Sequence, residues 1–391
     1  MNNFEFYNPA RVIFGKNIEG RIGEQVAEFS KKRKCLLHYG GGSVIKSGLL
    51  DRVKASLTDA GISFVELSGV VPNPRLSLAQ EGIRLCREHE LDFVLAVGGG
   101  SVIDSAKCIV LGVAYEGDVW DYYLDNSLTP PENVLPVGVV LTIPAAGSET
   151  SMGSVITKED EGLKRSYGSS CLTPRFAFIN PALTMTLPPY QIACGCSDIM
   201  AHLMERYFTQ VENVDVSDRM IEALLRTMLI YAPKALKDPM NYDVRAEICW
   251  AGTVAHNNLL NMGRIGDWGS HAIEHELSGM YDVAHGAGLA VVFPAWMKYV
   301  YKANKARFLQ FAVRIMDIDL AMEHTDEMIL DAIDKLEAFF RSLGLPTRLG
   351  EIGATEDKLR EMAEKSQFAS KPGNFVPLRA DDVYEILKLA L

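Results

Sequence analysis

The chain has 391 residues, of which 48% are hydrophobic and 23% are charged. This is an ordinary globular composition, and the length is enough for two domains of common size. Lys and Arg number 39 against 50 Asp and Glu, so the formal net charge is −11. An acidic chain has no general electrostatic attraction to a phosphate backbone, so a nucleic-acid partner is not expected.

The start of the chain and the cysteines indicate where the protein works. The start, MNNFEFYNPARVIFG, lacks the basic segment and apolar run of a secretory signal. No stretch approaches the roughly 18 uncharged apolar residues that a membrane span needs. The seven cysteines are odd in number and lie mostly in apolar stretches, which is typical of reduced, buried thiols. We therefore expect a cytoplasmic protein that does not bind a membrane.

From residue 10 to about 185, short β-branched runs alternate with amphipathic stretches. In chain order they read KCLLHYG, SGLLDRVKASLTDAG, ISFVELSG, SLAQEGIRLCREH and DFVLAVGGG. This alternation predicts an α/β domain with a parallel sheet wrapped by helices. Two later strands are predicted in LPVGVVLTIPAAGSE and FAFINPALTMTLPP. Pro188 and Pro189 cannot continue a strand, and they mark the domain boundary.

Beyond the prolines the chain changes to long helical patterns such as VSDRMIEALLRTMLIYAPKALK, with apolar residues three and four positions apart. Neither an internal repeat nor a low-complexity tract interrupts it. We predict an α/β dinucleotide-binding domain over residues 1–187 and an all-helical domain over residues 188–391.

Three turns rich in glycine, alanine and serine follow predicted strands of the first domain. They are Gly40-Gly41-Gly42-Ser43, Gly98-Gly99-Gly100-Ser101 and Ala145-Ala146-Gly147-Ser148. Glycines let the backbone approach a ligand, and the N–H groups at a helix start favour an anion such as a pyrophosphate. One such turn is weak evidence, and none matches the G-x-G-x-x-G fingerprint. Three at the carboxyl ends of parallel strands together favour a dinucleotide.

The choice between NAD(H) and NADP(H) depends on which side chains face the adenosine ribose. After the first strand no acid occurs until Asp51, whereas Ser43 and Lys46 offer a hydroxyl and a positive charge to a 2′-phosphate. These residues favour NADP(H). Glu66 on the second strand is the alternative, because it lies near the spacing of an NAD-binding acid.

Acidic and histidine side chains cluster in the second domain. Asp198 and His202 are four residues apart, which places both on one helix face. His271, His275 and His285 follow within fifteen positions, and His271 and His275 also share a face. One carboxylate with imidazoles suits a borderline divalent ion such as Zn²⁺ or Fe²⁺.

The rival metal-binding pattern is the pair Cys194 and Cys196. A C-x-C pair without a second cysteine pair nearby has poor zinc-finger spacing. We interpret the pair as two buried thiols at a helix start.

Six stretches in combination resemble one known family. They are YGGGSVIKSG (39–48), VGGGSVIDSAK (97–107), TIPAAGSETS (142–151), the D-x-x-x-H of 198–202, HAIEHELS (271–278) and YDVAHGAGLAVVFPAWMKY (281–299). Through them nearly the whole chain is similar to the iron-containing (group III) alcohol dehydrogenases, most closely their butanol dehydrogenase and broad NADPH-dependent aldehyde reductase branch. The resemblance implies a dehydroquinate synthase-like architecture of a dinucleotide-binding domain and a helical metal domain.

The resemblance also assigns roles to residues. It implies that the metal ligands are Asp198, His202, His271 and His285, and that His275 lies beside the nicotinamide as a proton-relay or substrate-orienting group. It implies cofactor contacts at Gly98, Gly99, Ser101 and Asp104 for the pyrophosphate, at Thr142, Ser148 and Ser151 for the nicotinamide side, and at Lys164. Gly41 stands where NAD-using relatives carry an aspartate. We add Asn73 to the predicted cofactor-binding residues.

These residues predict a metal-dependent hydride transfer between NADP(H), or NAD(H), and a small primary alcohol or aldehyde such as butanol or butanal. One alternative is a metal- and NAD-dependent lyase of the dehydroquinate synthase type, which acts on a phosphorylated substrate and needs Lys or Arg near the metal. Only Arg206 and Arg264 are candidates for that. A non-catalytic binding protein is the third possibility. The joint occurrence of glycine-rich cofactor loops and candidate metal ligands argues against it.

The extended stretch FEFYNPARVIFG near the start could pair as an edge strand with a second subunit. Together with the family resemblance, it predicts a homodimer.

Overall fold

A computed structural model describes residues 1–320, 324–368 and 371–391. It divides into two compact units, Tyr7–Thr186 and Leu187–Leu391, and the second unit includes Met1–Phe6. The amino group of Met1 donates to the Glu212 carbonyl over 2.8 Å, which ties the first residues to the helical unit. The predicted limits at 187 and 188 place these six residues in the α/β domain instead.

The α/β unit is built on eight strands. They are β1 Arg11–Phe14, β2 Lys34–Tyr39, β3 Ser63–Leu67, β4 Phe93–Gly98, β5 Val137–Leu141, β6 Gly153–Lys158, β7 Leu163–Gly168 and β8 Phe176–Ile179. Six of them form one parallel sheet in the order β1-β8-β5-β4-β2-β3. Strands β4, β5 and β8 are buried throughout, as expected for the near-continuous apolar runs of a parallel sheet covered on both faces.

Helices connect these strands, as the alternation predicted. They are α1 Ile22–Phe29, α2 Gly42–Lys46, α3 Leu49–Asp59, α4 Leu76–Glu88, α5 Gly100–Val113 and α6 Asp121–Leu124. The α/β prediction is confirmed. The antiparallel hairpin of β6 and β7 is an addition that the sequence pattern did not indicate.

In the described residues of the second unit, the regular secondary structure is helical. Its α-helices are α7 Pro189–Tyr207, α8 Asp215–Lys237, α9 Tyr242–His256, α10 Gly269–Tyr281, α11 His285–Val300, α12 Lys305–Arg314, α13 Thr325–Ser342, α14 Leu359–Lys365 and α15 Ala380–Leu389. Pro189 is the first residue of α7, where its missing N–H costs no hydrogen bond. The helical prediction is confirmed. Among the described residues, none of the helices combines the length and the apolarity of a membrane span.

Helix α11 lies at the centre of the helical unit. All residues from Gly286 to Met297 are buried, so the helix is apolar on every side. Trp296 packs against the rings of Phe208, Phe293 and Phe375 with centroid separations of 5.4 to 6.0 Å. Such a core fixes the start of α11, where His285 lies.

His38 is a buried polar residue at the centre of the α/β unit. Its Nδ1 lies 3.0 Å from the Leu67 carbonyl and its Nε2 lies 2.9 Å from Ser105 Oγ, so one ring links β2, β3 and α5. Burial lowers the pKa of His38 from 6.5 to about 4. The ring is therefore neutral at physiological pH.

The depressed pKa of His38 predicts acid sensitivity of the fold. Between pH 6.5 and about 4 the unfolded chain takes up a proton at this ring that the folded chain refuses. The free energy of unfolding therefore falls as the pH drops through that window, by about 3 kcal/mol in full. Urea unfolding at a series of pH values should give a flatter dependence for His38→Gln than for the wild type. Equal slopes for the two proteins would contradict the prediction.

Candidate functional site

Two of the predicted metal ligands lie on one face of α7. Asp198 and His202 are each about 4% exposed, and His202 Nδ1 lies 2.9 Å from Asp198 Oδ1. The same nitrogen lies 2.9 Å from the main-chain oxygen of Asp198. The four-residue spacing therefore stacks the two side chains as the helical period predicts.

His271 on α10 joins this pair. A carboxylate oxygen of Asp198 and ring nitrogens of His202 and His271 all lie within 4.8 Å of one another. Ligands that share one ion at about 2.1 Å each lie about 4 Å apart or less, so a small adjustment brings the three onto one ion.

The ring of His271 is held by a buried acid. Its Nδ1 lies 2.7 Å from Glu205 Oε1, and its backbone N–H donates to the same oxygen over 3.0 Å. The other nitrogen, Nε2, is buried and has no hydrogen-bond partner in the described part of the chain. An orphaned nitrogen lone pair beside a carboxylate fits a metal ion, because a buried polar atom without a partner costs free energy.

His285, the fourth predicted ligand, is the first residue of α11, and its ligand atoms group within 4.8 Å with those of Glu274 and His275 and not with the other three predicted ligands. Its Nε2 lies 3.9 Å from Asp198 Oδ1, while its Nδ1 faces the carboxylate of Glu274. Gly286 allows this approach, because a Cβ there would lie 2.0 Å from the main-chain oxygen of Cys194 on α7. Backbone contact between α7 and α11 thus sets the position of His285.

His275 lies beside this group but belongs to a different cluster. The ring is partly buried, its centroid is 5.8 Å from that of His285, and ligand atoms of Glu274, His275 and His285 lie within 4.8 Å of one another. His275 is therefore near the predicted ligands and partly open to solvent.

Burial and charge set the ionisation of the cluster. Burial alone would raise the pKa of Asp198, but the surrounding histidines lower it to about 2. Burial, and then the neighbouring rings of His202 and His285, lower the pKa of His271 well below its usual value. A carboxylate beside a neutral imidazole is the protonation state that binds metal. Burial also raises the pKa of Glu205.

Glu205 and Glu274 are the site residues that sequence reasoning missed. Both are fully buried, and each bonds the Nδ1 of a predicted ligand so that the other ring nitrogen points away. Such carboxylate partners fix the orientation and tautomer of metal-binding histidines. The available signal was spacing, since Glu205 follows His202 by three residues and Glu274 follows His271 by three.

The two arginines near the site are engaged within the protein. Arg206 donates to the His202 carbonyl over 2.6 Å and lies over the Trp268 ring at 4.8 Å. Arg264 donates to the carbonyls of Arg206 and Val214 and to Asp218. Neither guanidinium is free for a phosphorylated substrate, which removes the basis of the lyase alternative.

The three glycine-rich turns lie at one edge of the sheet. They follow β2, β4 and β5, which are neighbours and parallel, so their carboxyl ends meet. Gly99 caps α5 without a side-chain hydrogen bond, which leaves the first N–H groups of that helix for an anion. Ser101 lies in this first turn and is partly exposed. Thr142 donates its N–H to the Gly98 carbonyl over 3.0 Å and joins two of the turns.

Asp104 on α5 connects that helix to the residues predicted for the nicotinamide side. It accepts from Ser148 Oγ over 2.5 Å and from the Val155 N–H over 3.0 Å. Ser148 and Ser151 are each 4% exposed. Asp104 therefore has hydrogen-bond partners within the protein, in addition to any contact with a pyrophosphate.

Asn73 and Lys164, the other predicted cofactor residues, are linked through the β6 and β7 hairpin. Asn73 is buried with φ of 54°, and the adjacent Pro74 carbonyl accepts the N–H of Thr157 over 2.8 Å. The partner of Thr157 across the hairpin is Lys164, which is also buried. The hairpin thus brings the two predicted residues into one part of the α/β unit.

The residues considered for coenzyme choice differ in their surroundings. Ser43 and Lys46 are exposed on α2. The Glu66 carboxylate is 2.8 Å from Lys54 Nζ and accepts the Tyr39 hydroxyl over 2.8 Å. It is therefore already engaged within the protein.

The C-x-C pair lies inside α7. Cys194 is partly buried and Cys196 is buried, and all seven cysteines of the chain are free thiols. Burial raises the pKa of Cys196 to about 12. The Cys196 thiol is therefore protonated at neutral pH, as expected for a buried thiol.

Comparisons with known proteins identify the family of the chain. Residues 9–181 match the family model for iron-containing alcohol dehydrogenase, and residues 192–391 match the C-terminal model of the same family. A probable NADH-dependent butanol dehydrogenase from Bacillus subtilis is 45% identical, with 100% of both chains covered. An NADPH-dependent aldehyde reductase from Escherichia coli is 37% identical, with 93% of both covered.

A solved structure, the NADH-dependent butanol dehydrogenase A of Thermotoga maritima, superposes with a TM-score of 0.95. It is 38% identical, and the match covers 100% of this chain and 99% of that one. The relatives include NADH- and NADPH-dependent enzymes. They share the use of a nicotinamide coenzyme, but they differ in whether that coenzyme carries the 2′-phosphate. The chain belongs to the iron-containing alcohol dehydrogenase family of oxidoreductases.

Proposed function

We propose that this protein is a metal- and NADP(H)-dependent alcohol dehydrogenase that also works as an aldehyde reductase on a small primary alcohol or aldehyde such as butanol or butanal. The observation that carries the proposal is the orphaned Nε2 of His271 beside Asp198 and His202. The family match supports the same reaction class.

Asp198, His202, His271 and His285 would hold one divalent ion, Fe²⁺ or Zn²⁺. When bound, such an ion supplies Lewis acidity toward a substrate oxygen. Glu205 and Glu274 keep His271 and His285 in the orientation that presents one nitrogen, through the hydrogen bonds at their Nδ1 atoms. The coenzyme supplies the hydride, and the protein supplies alignment.

His275 is the proposed proton-transfer group. Reduction of an aldehyde leaves negative charge on the oxygen, which needs a proton. A histidine ordinarily titrates near pH 6.5, so its ring exchanges protons readily at neutral pH. His275 is partly open to solvent and lies beside His285, from where it can return a proton to the alcohol oxygen during reduction and accept one during oxidation.

The preference for NADP(H) over NAD(H) is supported by side chains at the end of β2. Ser43 and Lys46 are exposed there and offer a hydroxyl and an ammonium group to a 2′-phosphate. Glu66, the alternative partner for a ribose hydroxyl, is ion-paired with Lys54. A carboxylate that is already ion-paired is a weaker hydrogen-bond acceptor for a ribose hydroxyl.

We further propose a cytoplasmic homodimer. The free cysteines support a reducing compartment. Strand β1 ends the sheet order, with Phe14 39% exposed and Tyr7 just before it 76% exposed. An exposed edge strand with apolar neighbours is suited to pairing with a second copy.

The first prediction concerns variants that lack one of the proposed metal ligands. His271→Ala and His285→Ala should lower both bound metal and turnover, and Glu205→Gln should weaken metal binding by about 10- to 100-fold through its effect on His271. Elemental analysis of dialysed protein and butanal reduction with NADPH would measure both quantities. His324→Ala, which removes an exposed histidine of the same unit, is the matched control. Full metal content and rate in His271→Ala would refute the assignment.

His275→Ala should separate metal binding from proton transfer. We expect metal content to stay unchanged and turnover to fall by about 100-fold or more, since general acid–base catalysis typically contributes that much. The pH dependence of turnover should change as well, and added imidazole should restore part of the rate. A variant with the wild-type rate and pH profile would argue against the proton-transfer role.

Coenzyme choice should follow the residues after β2. Lys46→Ala should raise the KM for NADPH about tenfold and leave that for NADH unchanged, because a charged hydrogen bond to the 2′-phosphate is lost. Gly41→Asp should favour NADH, since a carboxylate repels the phosphate and can accept a ribose hydroxyl. An added Cβ at Gly41 meets no atom within 4 Å, so the variant should fold. Paired kinetics with both coenzymes would test this, and a wild type that prefers NADH would contradict it.

A further inference from the structure

Trp268, just before the first residue of α10, has an unusual backbone conformation for so large a residue. Its φ and ψ are 67° and 10°, in the left-handed region. Residues with a Cβ rarely adopt that region, and for a bulky side chain the conformation is strained. Strain of this kind persists only where the surrounding structure enforces it, and it is common at ligand-binding sites.

Two buried acids enforce the conformation of Trp268. Its N–H donates to Glu205 Oε2, and the N–H of Asp267 donates to the Glu205 carbonyl over 2.7 Å. The Asp267 carboxylate accepts the N–H of Gly269 and the N–H of Phe375, each over 2.8 Å. Both acids are 0% exposed, so water does not compete for these hydrogen bonds. The backbone on both sides of Trp268 is therefore fixed.

The fixed backbone places the indole against two predicted metal ligands. Its centroid lies 5.3 Å from that of the His271 ring and 5.9 Å from that of the His202 ring. The guanidinium of Arg206 lies over the indole at 4.8 Å from the same centroid. These three side chains are buried, whereas Trp268 is only partly buried. Of the four residues, Trp268 is thus the one that stays accessible beside the candidate metal centre.

The orientation of the indole decides which chemistry it offers. A Cβ added at Gly266 would lie 3.2 Å from Trp268 Nε1, so the nitrogen edge of the ring lies close to the main chain of that buried glycine. The rest of the ring carries no polar atom, and it is a large, flat, apolar surface. Such a surface suits a hydrocarbon chain.

We propose that Trp268, directed by Glu205 and Asp267, is a specificity-determining residue whose indole packs against the carbon chain of the substrate and limits its bulk beside the reacting carbon. The inference rests on the proposed function, in which the substrate oxygen approaches an ion held by His202 and His271. Because the indole lies against both of those rings, the carbon that bears this oxygen comes close to it. A straight chain fits beside a flat apolar ring, whereas a cyclic group attached to the carbonyl carbon would collide with it.

Unreactive amides test the proposal without turnover. Butanamide has the carbonyl oxygen and the chain of butanal, and cyclohexanecarboxamide carries a ring at the carbonyl carbon instead. Calorimetric titration of the metal-loaded protein with NADPH present should give a Kd for butanamide about fivefold higher in Trp268→Ala than in the wild type, which corresponds to the lost contact of one to two methylene groups. The Kd for cyclohexanecarboxamide should fall.

Trp250→Ala is the matched control for these titrations. It removes a tryptophan of the same unit that is 49% exposed on α9, and it should change neither Kd. Kd values in Trp268→Ala that equal those of the wild type for both amides would overturn the proposal.

Selectivity of reduction is the second readout. The ratio of kcat/KM for cyclohexanecarbaldehyde to kcat/KM for butanal should rise about tenfold or more in Trp268→Ala, since even one methylene group in a pocket is worth that much. Bound metal should stay at the wild-type level. A loss of metal with an unchanged ratio would mean that the indole supports the ligand rings and does not contact the substrate, and it would reject the assignment.

The strained backbone is tested by comparing Trp268→Gly with Trp268→Ala. Both variants lack the indole, but only glycine adopts the left-handed region without strain. Trp268→Gly should therefore have the higher melting temperature. Equal melting temperatures would argue against the role of Glu205 and Asp267 in directing the indole. If Trp268→Ala does not fold, Trp268→Gly and the milder Trp268→Phe take its place in the amide and selectivity measurements.

Failure of this inference is distinguishable from failure of the proposed function. A wild type that reduces no aldehyde would refute the proposed function itself. A wild type that reduces butanal, together with Trp268 variants that keep its amide affinities and its selectivity, would refute only the role of Trp268.

Discussion

The hydrogen bond between Glu205 and His271 Nδ1 is the constraint on which the candidate metal centre depends. It spans 2.7 Å between two buried side chains on α7 and α10. A neutral imidazole has one donor and one acceptor nitrogen, so donation to Glu205 makes Nε2 the lone-pair atom. That atom lies beside Asp198 and His202. Glu274 on α10 holds the Nδ1 of His285 on α11 in the same way, so two of the four predicted ligands are oriented by buried carboxylates.

In the α/β unit, a buried lysine takes the structural role that the buried glutamates have at the candidate metal centre. The order of the parallel sheet brings the ends of β2, β4 and β5 together, but strand order alone leaves the turns without fixed shape. Lys107 holds the segment that follows the third turn, because its ammonium group, with three hydrogens to donate, lies within 3.3 Å of three carbonyl and two hydroxyl oxygens of residues 148–153. This segment is mostly polar, so buried hydrogen bonds hold it where apolar contacts are few.

The sequence predicted the fold class and the shared helix face of two ligand candidates, because both depend on periodicity. Alternating runs predicted the parallel sheet, and the four-residue spacing of Asp198 and His202 predicted their shared helix face. Their meeting with His271 and His285 is a tertiary fact, and the role of these residues as ligands stays a prediction. Glu205 and Glu274 were missed because a glutamate inside a helical pattern is usually exposed. The β6 and β7 hairpin was missed because its short strands carry polar residues in most positions.

The two buried arginines near the predicted metal ligands indicate whether a charged or an uncharged substrate suits the site. Arg206 and Arg264 lie close to the predicted ligands, yet both donate to main-chain carbonyls, and Arg264 is also paired with Asp218 at 2.7 Å. A guanidinium that already satisfies buried oxygens cannot turn to a phosphate or carboxylate without leaving those oxygens unpaired, which costs more than the new contact returns. Neither arginine is therefore available to pair with an anionic substrate, whereas an uncharged aldehyde or alcohol needs no such partner.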